Sequence, residues 1–382
     1  MEVNGHPVGQ EAQRIEVMSC FINGILKKGT SDLHEIARQM PLDRPLQELT
    51  QKETEQDALP NGTIKTQFAT RVKQLTTWLD YAGNSWYTRY LPCFKHVLSH
   101  IALSNSELVF IIDGSEVGNG CTALMISVVC QNRSIPVCWV VRKAKKGHLP
   151  ESMHLEALKM LRNVLVAHPA MTNKRIVLLG DGEFDGGQLT QACKDWGWQF
   201  VVRTAHNILI QDEQEEFPIS DLQGISQEDE GHLWAFLPHI LYTEQGFGYV
   251  NALYWHDKNY KDPLYLLTNF DGAFDAYLYY KKRFAIETLF GDMKSRGFNV
   301  HKSKLGDPIL IMRLLICVCL AFVITWYTAL AKNADKVKAL VMPKHKNDLS
   351  VFKFGRCIWD FCLNNHIPIV LSMSMNFVIL LI

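Results

Sequence analysis

At Leu108 the hydrophobic period of this chain changes from helical to extended, and the order of the elements beyond that point admits few folds. Leu108 to Asp113, Ala123 to Cys130 and Ile135 to Arg142 are short runs rich in β-branched residues, the last two separated by the turn-like Gln131-Asn132-Arg133-Ser134. They predict three consecutive strands in a meander. An amphipathic helix is expected over Glu151 to His168, then a strand Arg175 to Gly180 ending in Asp181, a helix Gln188 to Trp196 and a strand Trp198 to Arg203. Strand-like pieces come next at Leu233 to Tyr242, Tyr249 to His256 and Leu264 to Thr268, and a helix from about Phe274 to Arg296 closes the series.

The order β-β-β-α-β-α-β, interrupted by strands and closed by a helix, predicts an α/β chain with a ribonuclease H-like mixed sheet carrying a β-strand insertion at about residues 204–272. Upstream, Glu11 to Leu26, Ser31 to Met40 and Ile64 to Tyr81 have 3.6-spaced apolar residues, with a break at Leu59-Pro60-Asn61-Gly62. Residues 1–100 therefore read as a separate helical domain, 101–300 as the mixed-sheet domain and 301–382 as a helical C-terminal region. Leu314 to Ala331 runs eighteen residues without a charge, which barely reaches the length of a membrane span. Its Cys, Thr and Ala content favours a helix buried in a protein core.

Charge is unevenly spread. The 39 basic and 39 acidic side chains cancel, but residues 101–275 carry 13 basic and 22 acidic groups, and residues 276–360 carry 15 and 6. A polyanionic partner is better matched to the second of these segments. The run Asp212 to Glu230 holds eight carboxylates and no basic group, and reads as a solvated loop. The ten cysteines include no CxxC pair and sit mostly in apolar runs, as buried thiols of a reducing compartment do. The first fifteen residues lack the basic start and apolar stretch of a secretory signal, so a cytoplasmic location is expected.

In a ribonuclease H-like sheet the first strand lies beside the fourth, so Asp113 and Asp181 are expected to meet although they are far apart in sequence. A third carboxylate on the closing helix, Glu287, would complete a site for two divalent cations. Two hard cations about 4 Å apart need several carboxylate oxygens, and together they activate a water and stabilise the leaving oxygen of a phosphodiester. On a continuous helix Tyr280, Arg283, Glu287 and Lys294 fall within an arc of roughly 60°, beside the apolar stripe of Ile286, Leu289, Phe290 and Met293. Glu183 and Asp185 stand close to Asp181 and are alternatives to it as ligand, Asp181 ranking first because it directly follows the strand.

The segment Tyr280-x2-Arg283-x3-Glu287-x6-Lys294 resembles the signature of DDE transposases from bacterial insertion sequences. Phe110-Ile111-Ile112-Asp113-Gly114-Ser115 and Leu178-Leu179-Gly180-Asp181-Gly182-Glu183-Phe184-Asp185 resemble the family's first and second acidic motifs, and the resemblance covers roughly residues 100–360. It implies that Asp113, Asp181 and Glu287 are catalytic and bind two Mg²⁺ ions, for which Mn²⁺ can substitute, while Tyr280, Arg283 and Lys294 contact DNA phosphate. It further implies double-stranded DNA partners, namely terminal inverted repeats and target DNA, a homodimer in the DNA complex, and a bacterial cytoplasmic, nucleoid-associated location without a membrane. The helical domain at residues 1–100 is then expected to recognise DNA.

Arg142-Lys143-Ala144-Lys145-Lys146 places four cations after the third strand, as a phosphate-contacting loop or a solvated turn. Trp234 and Trp255 are expected in the sheet core rather than stacked on a base, and His154 and His301 have no metal-spaced partner. Absence of GxxxxGK[ST], HExxH and GxSxG removes the main support for kinase-like, zincin and serine-hydrolase chemistry. The expected activity is metal-dependent DNA cleavage and strand transfer. Beside it stand an endonuclease of the same fold without strand transfer and an inactive DNA-binding remnant.

Overall fold

The computed structural model describes residues 2–3, 6–41, 61–147, 149–171, 173–242, 248–331, 334–342, 349–367, 369–374 and 377–381. The chain divides into two compact units, one formed by Met1–Val97, Val117–Asn119 and Gly291–Ile382, the other by Leu98–Glu116 and Gly120–Phe290.

The second unit is built on one mixed sheet. Its first strands are β1 (Glu107–Gly118), β2 (Cys121–Cys130), β3 (Arg133–Lys143), β4 (Arg175–Gly180) and β5 (Gln199–Arg203), arranged 3-2-1-4-5. β2 and β3 pair antiparallel, whereas β4 runs parallel to both β1 and β5. That order and those directions make the sheet ribonuclease H-like, as the element order predicts. Leu108 to Ile112, Val177 to Gly180 and Phe200 to Val202 are buried without interruption, which is why they read as solid apolar runs rather than alternating ones. Helix α5 (Glu151–Val166) lays Met153, Ala157, Leu158, Leu161, Val164 and Leu165 against β2 and β3.

Two elements differ from the expectation. β1 does not end at Asp113 but continues to Gly118, so Asp113 lies inside the strand. The chain then turns through Asn119 and Gly120, with Gly120 at φ 69°, a left-handed value that glycine adopts without steric cost. The closing helix is not continuous either: it is two helices, Ala273–Lys282 and Ala285–Met293, broken at Arg283 and Phe284.

The insertion extends the sheet rather than standing apart. β6 (Leu209–Gln211), β7 (Glu216–Pro218), β8 (Gln227–Asp229), β9 (His232–Tyr242), β10 (Tyr249–Asp257) and β11 (Leu264–Thr268) continue it, β11 pairing antiparallel with β5 from Leu266↔Arg203 to Thr268↔Val201. The acidic run is not simply a loop, since it holds β7, β8 and the 3-10 turn Ile219–Ile225. Its carboxylates are nonetheless largely exposed. Trp234 and Trp255 face one another across the β9–β10 pair, and Trp255 is fully buried.

In the first unit, α1 (Gln10–Lys28), α2 (Leu33–Ala37) and α3 (Asn61–Asp80) pack with one another, and α1 and α3 pack on α9 (Pro308–Leu330). Asp32 starts α2 by accepting the His34 and Glu35 N–H groups, and Asp307 starts α9 in the same way through Ile309 and Leu310. α9 is long and apolar enough to cross a membrane, yet every residue from Leu314 to Trp326 is buried in this fold. That is the core helix expected from its composition. Its partner α11 (Val351–Asn364) comes close because residue 355 is glycine: a Cβ there would stand 2.1 Å from the Thr325 carbonyl oxygen. The C-terminal tail forms a hairpin of Ile369–Ser374 and Phe377–Leu381.

Candidate active site

Sheet register brings the two aspartates together. β1 and β4 pair in parallel as far as Ile112↔Gly180, and the next residues on the two strands are Asp113 and Asp181. Parallel neighbours in register lie about 4.8 Å apart and point to the same face. Asp113 is almost fully buried, and its Oδ1 accepts the Gly114 N–H at 2.7 Å. Burial pushes its carboxyl up to about 6; the neighbouring Asp181 adds to the rise, against the pull of Lys146 and Arg283.

Those two cations flank Asp113. Lys146 Nζ lies 3.3 Å from Oδ1, and Arg283 Nη1 lies 3.9 Å from Oδ2. Arg283 occupies the break between the two closing helices, and its Nη2 donates to Glu287 Oε1 at 2.9 Å. A single guanidinium thus spans Asp113 and Glu287. Glu287 itself is in the first turn of the second helix and is about half exposed, so it meets the aspartate pair through Arg283 rather than directly. Among the described residues, no three His, Cys, Asp or Glu side chains are gathered as a set that could hold a metal ion.

Tyr280 is buried near Arg283, and burial pushes its phenol up. Both line a cleft of about 610 Å³ together with Asp181, Arg203, Thr204 and His206. Tyr280, Arg283 and Glu287 lie on the first closing helix, in the break and on the second helix, and Lys294 lies on neither helix. It follows the second helix, in the turn before Gly297, and belongs to the first compact unit. The expected arc fails there because the helix ends at Met293.

Three participants were not singled out from sequence as parts of this site. Arg203 and His206 enter at the carboxyl end of β5, the strand beside the one that delivers Asp181; a charged residue ending such a strand is the signal that marks them. His154, on α5, lies buried close enough to Asp181 to feel its charge, and burial pushes its imidazole down to about 4. Neither of its ring nitrogens has a hydrogen-bond partner among the described residues. Of the alternatives to Asp181, Asp185 accepts from Thr204 Oγ1 at 2.6 Å and Glu183 Oε1 accepts the Leu149 N–H at 2.8 Å, so each has a structural tie of its own.

The donor set suits a divalent cation. Two carboxylates stand on neighbouring strands, one of them buried, and the Lys146 and Arg283 cations lie against the buried one, where the charge of a divalent ion would take their place.

Residues 105–324 match the family described as transposase DDE domain. The chain belongs to that family. Asp113, Asp181 and Glu287 all fall within the matched segment, as do Tyr280, Arg283 and Lys294. Among solved structures, the chain is similar to the catalytic domain of human Endonuclease V, at 15% identity and a TM-score of 0.28, over 53% of this chain and 81% of that one. It is also similar to the Argonaute of Marinitoga piezophila in complex with guide RNA and target DNA, at 15% identity and a TM-score of 0.22, over 56% and 29%. No curated protein matches the sequence.

Proposed function

We propose that this DDE transposase binds the terminal inverted repeats of an insertion sequence and cleaves and joins DNA there with divalent metal ions. The observation that carries the reading is the parallel register that sets Asp113 beside Asp181, with Arg283 linking that pair to Glu287. Asp113, Asp181 and Glu287 would hold the ions, Mg²⁺ or Mn²⁺. When bound, such ions supply an activated water and charge stabilisation at the leaving oxygen of a phosphodiester.

The protein's own groups do the rest. Tyr280 and Arg283 line the cleft beside Asp181 and serve as phosphate contacts, with Arg203 adding a further cation. Arg283 also orients Glu287 through their hydrogen bond. Lys294 acts as an additional phosphate contact, and the N-terminal helices recognise the repeat. A homodimer would hold two ends at once. In the second step the 3′ hydroxyl released by cleavage attacks target DNA at the same site, with no covalent enzyme intermediate.

The test is a labelled inverted-repeat duplex with Mg²⁺, Mn²⁺ or Ca²⁺, using wild type, Asp113→Asn, Asp181→Asn and Glu287→Gln. Nicking and end joining by wild type in Mg²⁺ or Mn²⁺, lost in each variant, are expected. Cleavage retained by Glu287→Gln removes the third ligand. Nicking without end joining would instead favour a plain endonuclease.

A further inference from the structure

The loop between β3 and α5 is fastened at both ends. The hydroxyl of Thr122, a fully buried residue on β2, donates to the Ala144 carbonyl at 2.7 Å. At the far end the Leu149 N–H donates to Glu183 Oε1 at 2.8 Å, which ties the loop to the segment after Asp181. Between these fastenings Gly147 takes a φ of 83°, a turn most side chains resist. Lys143 and Lys145 are exposed, whereas Lys146 turns its ammonium to Asp113.

The pair is asymmetric. Asp113 is 2% exposed while the Lys146 side chain is 48% exposed, so the anion is fixed in the sheet and the cation reaches it from solvent. The other cation on Asp113, Arg283, is 9% exposed and is bonded to Glu287. Of the two counter-charges the lysine is the more readily withdrawn, since Arg283 is largely buried and held by a second carboxylate, whereas flexible exposed lysines exchange partners at little cost. A divalent ion on Asp113 and a lysine ammonium at its Oδ1 compete for the same carboxylate.

We propose that Lys146 is a positioning residue that acts as a built-in counter-ion of Asp113, withdrawing when a divalent cation loads and so setting the cation concentration at which the site fills. This rests on the metal-dependent reading above. It goes beyond it in assigning to the β3–α5 loop a role in cation affinity. Removing the ammonium leaves the aspartate pair with less competition, so the cation should bind more tightly; an arginine at the same place should restore the competition.

The experiment is titration of the full-length protein with Mn²⁺ at pH 8, free ion being read by electron paramagnetic resonance without DNA. Wild type, Lys146→Met, Lys146→Arg, Lys145→Met and Asp113→Asn are compared. Lys146→Met is expected to bind Mn²⁺ about threefold to tenfold more tightly than wild type, the worth of one partly exposed ion pair. Lys146→Arg should stay near wild type, and Asp113→Asn should lose the site. Lys145→Met removes an equal charge from the neighbouring position, outside the contact, and should leave the affinity unchanged. Unchanged or weaker binding by Lys146→Met, or an equal gain in Lys145→Met, overturns the counter-ion role alone. No Mn²⁺ uptake by folded wild type, or full uptake by Asp113→Asn, overturns the metal site at Asp113 and the lysine's role with it.

Discussion

Asp113→Asn is expected to stabilise the fold at neutral pH while abolishing cleavage. Asp113 is 2% exposed, and burial, with Asp181 adding to it, pushes its carboxyl from 3.8 to about 6. The folded state therefore holds that proton more tightly than the unfolded chain, so the contribution of Asp113 to stability is most favourable at low pH. It falls as pH rises from about 4 to about 6, then stays at the lower level. A rise of roughly two in pKa, at about 1.4 kcal/mol for each tenfold in proton affinity, places the penalty near 3 kcal/mol above pH 6. The attraction of Lys146 and Arg283 is already contained in that figure, so the neutral amide of the variant should recover most of it, about 2–3 kcal/mol. Urea unfolding with EDTA, monitored by circular dichroism from pH 4 to 8, measures the difference. The two proteins should coincide near pH 4, diverge up to about pH 6 and keep a constant gap beyond. A variant less stable than wild type at pH 8, or a gap that ignores pH, would refute the reasoning.

Other substitutions test separate parts of the structure. Arg283→Lys offers a point charge where a guanidinium spans Asp113 and Glu287, and should lower DNA cleavage about 10- to 100-fold with little change in melting temperature; wild-type turnover would show that a charge alone suffices. Gly355→Val drives a side chain into the Thr325 carbonyl and should cost about 3 kcal/mol, read as a lowered urea midpoint. Leu320→Ala, in the middle of α9, should cost about 2–5 kcal/mol if the helix is core, and almost nothing if that position instead faces lipid.

Much of the mixed-sheet unit was legible because its signals are local. β4 is bounded as its apolar run predicts, and β11 coincides with Leu264 to Thr268. What could not be read depends on neighbours. Gly114 and Ser115 look like the end of a strand, yet β1 runs past its last pairing with β4 and continues beside β2, as the Asn119-Gly120 turn marks more faithfully than the preceding Gly-Ser. The break at Arg283 leaves no proline or glycine as a warning, and the buried arginine at that point meets two carboxylates. Asp113 and Asp181 could be paired in advance because topology alone does it. Lys146 and His154 could not, since a loop's fastenings and a helix's packing decide what each side chain meets.

In chain order the mixed-sheet unit is nested inside the other: α1 is made before it, whereas α9, on which α1 packs, lies in the stretch Gly291–Ile382 that emerges after it. During synthesis the mixed sheet can close while the helical unit still lacks α9, so α1, packed only with α2 and α3, must wait through the whole of the inserted unit with the part of its apolar face that meets α9 uncovered. A chain cut short before Pro308 would keep every strand of the mixed sheet and both aspartates, but would leave that early helix permanently without its partner. Premature termination should therefore be cleared by proteases through the N-terminal helices, even though the lesion lies at the opposite end of the sequence.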